Sequence, residues 1–261
     1  MKKLEKIGVQ LYTIRSAMTT ADDIKRSFEK LKKLGYDEVQ TAGSPTAKDA
    51  EGKVAMTYAE FGKAAKEAGL TIVGTHDNLD AMAADPAQAM ENHRLLGTTN
   101  MGIGGFFRST VPEFEAIIQR INDFAKIISK EGFKFTYHNH SHEFMKVDGK
   151  TFMERLAEGL DPATTSFVLD TYWVQHGGAD VRHWINRLAG RVDILHLKDM
   201  GRNGDGPYIT EIGNGNIWFE GVIEEALKTG VKHFVVEEDI CPGDPFDSLK
   251  ISSDYLHANF M

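Results

Sequence analysis

FKFTYHNH (133–140), TSFVLD (165–170), VDILHLKD (192–199) and HFVVEED (233–239) are four short apolar runs that reach His138, Asp170, His196 and Glu237 in turn. Each of those residues can hold a divalent metal. Buried strands that stop one after another on such groups place a metal site at the ends of successive strands of one barrel. A single acid or histidine after an apolar run also suits a helix cap or a turn. Four consecutive runs with the same ending are hard to explain by capping.

Similar runs occur earlier, at residues 7–12, 38–41, 71–76 and 100–103, so the chain carries eight predicted strands. Amphipathic helical patterns separate them, among them DIKRSFEKLKKLG, YAEFGKAAKEAG, PAQAMENHRLLG and VPEFEAIIQRINDFAKIISKEG. Gly35, Gly69, Gly97, Gly132 and Gly230 end helices, where a left-handed cap turns the chain into the next strand. Strand starts recur roughly every 30 residues, the length of one strand, one helix and two short loops. Eight such units predict a (β/α)8 TIM barrel, α/β in class, over residues 1–261 as one domain. A doubly wound open sheet is the alternative, but the first strand is followed by TIRSAM, without the glycine-rich phosphate turn of that fold. Two longer connections, AGSPTAKDAEGKVAMT and MGRNGDGPYITEIGNGNIWFEG, follow strands two and seven and suit a lid or a substrate wall.

The 261 residues are 41% hydrophobic and 26% charged, ordinary for a globular protein. A net charge of −8 opposes a general electrostatic grip on nucleic acid. The start, MKKLEKIGVQLYTI, reads as a first strand and not as a signal peptide, and no run is long enough to span a membrane. Cys241 is the only cysteine, so there is no internal disulfide or thiolate metal site, and a cytoplasmic location is expected.

Strand alternation puts His140 on the face of His138, Lys198 with His196, Tyr172 near Asp170 and Asp239 with Glu237, leaving Glu238 facing away. Two imidazoles and two carboxylates suit one divalent ion, Mn or Zn best, with Co, Fe and Mg compatible. Such an ion polarises a sugar carbonyl and eases removal of the neighbouring proton. Glu237 could move that proton, and Lys198 could stabilise the developing oxyanion unless it is spent on an ion pair with Asp199 or another acid.

At these residues the chain resembles the sugar phosphate isomerase/epimerase group of the xylose isomerase-like barrel superfamily, which also holds inosose dehydratases, tagatose and psicose epimerases and endonuclease IV. The likeness runs through IGVQLYTIR, YHNHSHEF, LDTYWV, LHLKDM, EIGNGNI and VEED, nearly the whole chain. It implies one divalent metal held by His138, Asp170, His196 and Glu237, and a carbohydrate substrate. Similar barrels are often dimers or tetramers, so a homo-oligomer is compatible with the resemblance, although no surface stripe in the sequence identifies an interface. Epimerases of the group carry a glutamate where this chain has His138, and two glutamates there exchange protons with opposite faces of the substrate. With Glu237 alone, one-base isomerisation, elimination or dehydration is easier to build. Glu143 is a second carboxylate or a first-turn helix acid, and His140 a second base or a hydrogen-bonded neighbour of the site.

Gln10, Gln40 and His76 end the first three strands and could bond substrate hydroxyls; Trp173 and the pair Phe106 and Phe107 could wall a sugar face. Arg108 and Arg202 follow strands and could hold a phosphate. The leading expectation is a metal-dependent isomerase or epimerase of a sugar, keto-sugar or polyol. A lyase, dehydratase or hydrolase of a keto-glycoside or inosose is the alternative. An endonuclease-like repair enzyme and a sugar-binding barrel without turnover are weaker readings.

Overall fold

The computed structural model describes residues 3–43, 54–107 and 110–261. Eight parallel strands form the barrel: β1 (Gly8–Gln10), β2 (Glu38–Ala42), β3 (Thr71–His76), β4 (Asn100–Ile103), β5 (Lys134–His138), β6 (Thr165–Asp170), β7 (Val192–Leu197) and β8 (His233–Val236). Hydrogen bonding runs β3-β2-β1-β8-β7-β6-β5-β4. The remaining seam is closed more loosely. Asn100 Nδ2 donates to the Val73 carbonyl (2.9 Å) and Asp77 N to the Gly102 carbonyl (2.7 Å). The predicted barrel is thus the observed one, with strand ends displaced by a few residues.

Two apolar layers follow from strand alternation. Outward residues such as Phe135, Phe167, Leu195 and Phe234 join the large core beneath the helices, with Phe28, Phe114 and Phe219. Inward residues Val73, Val168, Ile194 and Val235 form a separate, fully buried cluster that plugs the lumen. The helices that shape the outer layer begin where expected. Thr20 and Thr57 build reciprocal capping boxes with Asp23 and Glu60 at the starts of Ala21–Lys33 and Tyr58–Glu67. Gly97, at φ +81°, ends Pro86–Leu96 in the left-handed conformation that the sequence pattern predicts.

The long connection after β7 differs from the expected loop. Asp199–Asn203 and Gly206–Thr210 pair as an antiparallel hairpin. Behind it, the Asp199 carboxylate accepts from the backbone N–H groups of Met200, Gly213, Gly215 and Ile217 (2.8–3.1 Å). Any side chain at position 215 would collide with that carboxylate, which explains the glycine. Most of the connection after β2 lies outside the described residues. Among the described residues, no helix is long and apolar enough to cross a membrane.

Candidate metal centre and its cavity

Each predicted ligand lies two residues beyond an inward residue of its own strand: Thr136 under His138, Val168 under Asp170, Ile194 under His196 and Val235 under Glu237. The apolar plug is therefore the floor on which the polar layer rests. One candidate donor atom from each of His138, Asp170, His196 and Glu237 lies within 4.8 Å of the others, and all four residues are buried. Asp170 Oδ2 is 3.4 Å from His138 Nε2 and 3.6 Å from His196 Nδ1, and His196 Nδ1 is 2.9 Å from Glu237 Oε2.

Asp170 is both a helix cap and a member of the cluster. Its Oδ1 accepts from Trp173 N (2.9 Å), capping Thr171–His176, which leaves Oδ2 to face the centre. Asn139 fixes the strand beneath by accepting from Asp170 N (3.1 Å). His196 is oriented by Gln40, whose Oε1 accepts from Nε2 at 2.5 Å, so Nδ1 is the nitrogen turned to the carboxylates. Gln40 Oε1 also accepts from Gln10 Nε2 (3.1 Å). That same nitrogen lies 3.3 Å from His76 Nδ1, and Gln10 Oε1 accepts from Tyr12 N (3.3 Å).

Lys198 is 1% exposed, with Nζ 3.1 Å from Asp170 Oδ2, 2.9 Å from Glu237 Oε2 and 3.1 Å from Asp239 Oδ2. Burial works against its charge, but the three carboxylates outweigh that and hold the ammonium above its ordinary range. Burial likewise pushes Glu237 up, but Lys198 and His196 bring it well below the usual carboxylate value. Asp239 is displaced upward by burial and by the Glu237 and Asp170 charges, against the pull of Lys198. Burial drives His140 down to about 2, with His138 adding to the effect, so this imidazole is neutral.

The cluster opens into a cavity of about 770 Å³ whose lining includes His76, His138, His140, Lys198, Glu237 and Asp239. His76 stacks on His138 with ring centroids 4.8 Å apart. Gln10 and Gln40 are fully buried and do not line the cavity; they brace His76 and His196 from behind. Trp173 is beside His140 (5.2 Å) and under Lys198 (5.3 Å), also off the cavity lining. Arg202 is exposed in the hairpin strand Asp199–Asn203, and Arg108 lies outside the described residues. Tyr172 is buried close enough for the Lys198 and Asp170 charges to act on it, and Glu238 is off the cavity lining, as alternation predicts.

Glu143 stands in the first turn of the 3-10 helix His142–Phe144, the helix-acid reading of the two, and not among the cluster's carboxylates. It is fully buried, accepts from Tyr137 Oη (2.8 Å) and from His140 N (2.9 Å), and burial raises its carboxyl to about 7. It braces the turn that carries His140. Gly105, in the connection after β4, makes room for that turn: its φ is +109°, and a Cβ there would come within 2.9 Å of His140 Nδ1. Sequence reasoning also misses Tyr12 and Arg15, which line the mouth from Leu11–Ala17, a 3-10 helix directly after β1. Alternation places Asp239 on the right face but gives it no role. Lys198 pairs with Asp239, Asp170 and Glu237, not with Asp199.

The residues fit a divalent cation. His138 Nδ1, His76 Nε2, His140 Nδ1 and Gln40 Nε2 are buried without a hydrogen-bond partner around the cluster, while Glu237 Oε2 is contacted by both His196 Nδ1 and Lys198 Nζ at 2.9 Å. Nδ1 of His196 would have to give up any proton it shares with Glu237 in order to ligate.

Fold and site together define a barrel of the xylose isomerase-like class. The family model described as "Xylose isomerase-like TIM barrel" matches residues 28–258, and the chain belongs to that family. It is 32% identical over 114 residues to an inosose dehydratase of Mesomycoplasma hyopneumoniae, an alignment covering 43% of this chain and 36% of that relative. The chain thus matches only about a third of that relative's length. Two structures from Parabacteroides distasonis, each described as a sugar phosphate isomerase/epimerase, are similar throughout. One has TM-score 0.82 and 24% identity, covering 100% of this chain and 96% of the other; the second has TM-score 0.75 and 27% identity, covering 95% and 96%.

Proposed function

We propose that the protein is a divalent-metal-dependent enzyme that moves a proton on the carbon next to a carbonyl of a sugar, keto-sugar or related polyol. The observation that carries this reading is the convergence of His138, Asp170, His196 and Glu237, with His138 and Glu237 lining a cavity. Those four residues would hold one ion, Mn or Zn suiting the donor set best. When bound, the ion supplies Lewis acidity toward a carbonyl oxygen.

The chain's own groups divide the remaining work. Glu237, unprotonated at neutral pH, takes the proton from the carbon beside the carbonyl. The electron pair of that C–H bond moves toward the carbonyl oxygen, where the Lys198 ammonium compensates the growing charge. Transfer of the hydroxyl proton on the deprotonated carbon to the former carbonyl oxygen, with return of the abstracted proton to the former carbonyl carbon, completes a ketose–aldose shift. His140 is a neutral hydrogen-bonding partner for a substrate hydroxyl, and His76 is a second one at the cavity wall. With His138 in place of a second carboxylate and Glu143 turned away, one-base chemistry is favoured over two-base epimerisation.

Dehydration of an inosose-like ring is a second reading, favoured by the inosose dehydratase relative. In that case a hydroxyl one carbon further on departs as water with the proton that Glu237 removed, leaving a conjugated enone. No role for nucleic acid is proposed for this acidic chain.

Metal analysis of the purified protein, with Asp170→Ala and His196→Ala beside it, tests the centre. About one equivalent is expected in the parent protein and little in either variant. Full metal content in both variants would overturn the coordination. Incubating ketoses and inososes with the protein in D2O then separates the chemistries. Deuterium gain with a ketose–aldose shift marks isomerisation, and enone absorbance marks dehydration.

A further inference from the structure

The cavity is larger and differently lined than a single polyol ring requires. Its floor is polar: His76, His138, His140, Lys198, Glu237 and Asp239. Its mouth is built from Tyr12 and Arg15 after β1, Phe107 after β4 and Ile240 after β8. Tyr12, Phe107 and Ile240 are 42%, 61% and 73% exposed, although large apolar side chains are normally withdrawn from solvent. Clefts of roughly 300–1,000 Å³ take drug-sized ligands, so about 770 Å³ accommodates considerably more than one sugar ring.

The mouth is also held in shape. Arg15 lies 4.0 Å over the Tyr12 ring, with Nη1 donating to the Tyr12 carbonyl (2.7 Å) and Nη2 to the Asp239 carbonyl (3.0 Å). That second bond ties the Tyr12 platform to the segment carrying Glu237, Asp239 and Ile240. Across the opening, Phe107 stacks against His142 (4.8 Å) and leans on His140 (4.9 Å), so the outer aromatic and the inner imidazole form one continuous wall. A ring on the floor and a second ring between Tyr12, Phe107 and Ile240 fill these two zones in order.

Building on the reading of the floor as the reacting site, we infer that the substrate is a glycosidic conjugate. The ring that reacts lies against His138, His140, Lys198 and Glu237. A second ring with an apolar face, either aryl or sugar, occupies a subsite formed by Tyr12, Arg15, Phe107 and Ile240. Aryl and pyranose rings share the chemistry that recognises such a surface, a flat C–H or π face laid on an aromatic. The Arg15 N–H groups left over from its two backbone bonds face ring substituents.

Calorimetric titration of the full chain in its metal-loaded form tests this directly. The probes are methyl glucoside, phenyl glucoside and cellobiose, the first two in both anomers. Phenyl glucoside or cellobiose is expected to bind about tenfold more tightly than methyl glucoside. That ratio should fall toward one in Tyr12→Ala and in Phe107→Ala, while the conservative Tyr12→Phe keeps it. A gain confined to phenyl glucoside assigns the subsite to aryl groups, and a gain confined to cellobiose assigns it to a sugar. Equal binding of all probes, no binding of any, or a ratio unaffected by both alanine variants would overturn the subsite. The affinity ratio needs no turnover, so a lost ratio with intact metal content and proton exchange refutes the subsite alone. The reverse pattern refutes the floor chemistry.

Discussion

At the N-terminal end of the barrel Asp193 is buried between Lys232 (2.9 Å) and Lys134 (3.4 Å), and Glu38 meets His233 at 3.0 Å. At the C-terminal rim one ammonium, Lys198, faces three carboxylates, and His138 Nδ1, His140 Nδ1 and His76 Nε2 are buried without hydrogen-bond partners. The same eight strands carry both ends. The lower end pairs its charges within the protein and so serves stability. The upper end gathers more donors than the protein itself can satisfy, which folding alone does not reward. Unsatisfied polarity concentrated on one face therefore points to a bound ion and substrate.

Lys198→Met should make the sharpest break between the two ends. Turnover is expected to drop about 10²–10³-fold, as for loss of a positioned charge at an oxyanion. In chelator-treated protein the variant should also lose roughly 3–5 kcal/mol of stability, because Asp170 and Glu237 are then left buried and uncompensated. Divalent metal should restore much of that loss. Calorimetric melting with chelator and with metal checks it, and equal destabilisation in both conditions would mean that lysine and metal do not share those carboxylates.

The lower-end and upper-end patterns are not equally legible in the sequence. A strand that alternates inward and outward shows which of its last residues faces the rim, so the group His138, Asp170, His196 and Glu237, which could hold an ion, can be picked out from the apolar runs. Lys198 and Asp239 follow from the same parity. Hidden from the sequence is everything set by contacts between distant strands. Gln40 binds His196 across 156 positions, and Arg15 reaches the Asp239 carbonyl across 224. Glu143 is legible as a first-turn helix acid, but its burial against the Tyr137 hydroxyl is not, because only the turn after β5 brings the two together. The hairpin after β7 is unreadable for a related reason. Its pairing is local, but its Gly-rich base is organised by Asp199, which in the sequence stands as a partner for its neighbour Lys198.

Gln40→Met tests whether the upper end is tuned from behind as well as lined from within. The substitution keeps volume but removes the acceptor of the His196 Nε2 proton. Metal affinity should weaken about 10–100-fold with little change in fold. Competition against a chromophoric chelator measures this, and an unchanged affinity would leave His196 oriented by packing alone.

Asp193→Asn should produce the smallest effect, and one of a different kind. The lower end is not part of the site, so turnover and metal content should stay at the parent level. Stability should fall by about 1–2 kcal/mol near pH 7, a modest figure because Lys232 is 60% exposed and its attraction is screened. Burial raises the Asp193 carboxyl, but Lys232 and Lys134 hold it below the ordinary 3.8. A carboxylate depressed in the folded state stabilises above its unfolded value and loses that contribution as the pH falls through the folded one. The gap between parent and variant in urea unfolding should therefore be full at pH 7 and shrink as the pH drops below 3.8. A gap that persists undiminished in acid would show that the substituted amide disturbs packing at the base of β7. A fall in metal content would show that the two ends of the barrel are coupled through the strand that carries both Asp193 and His196.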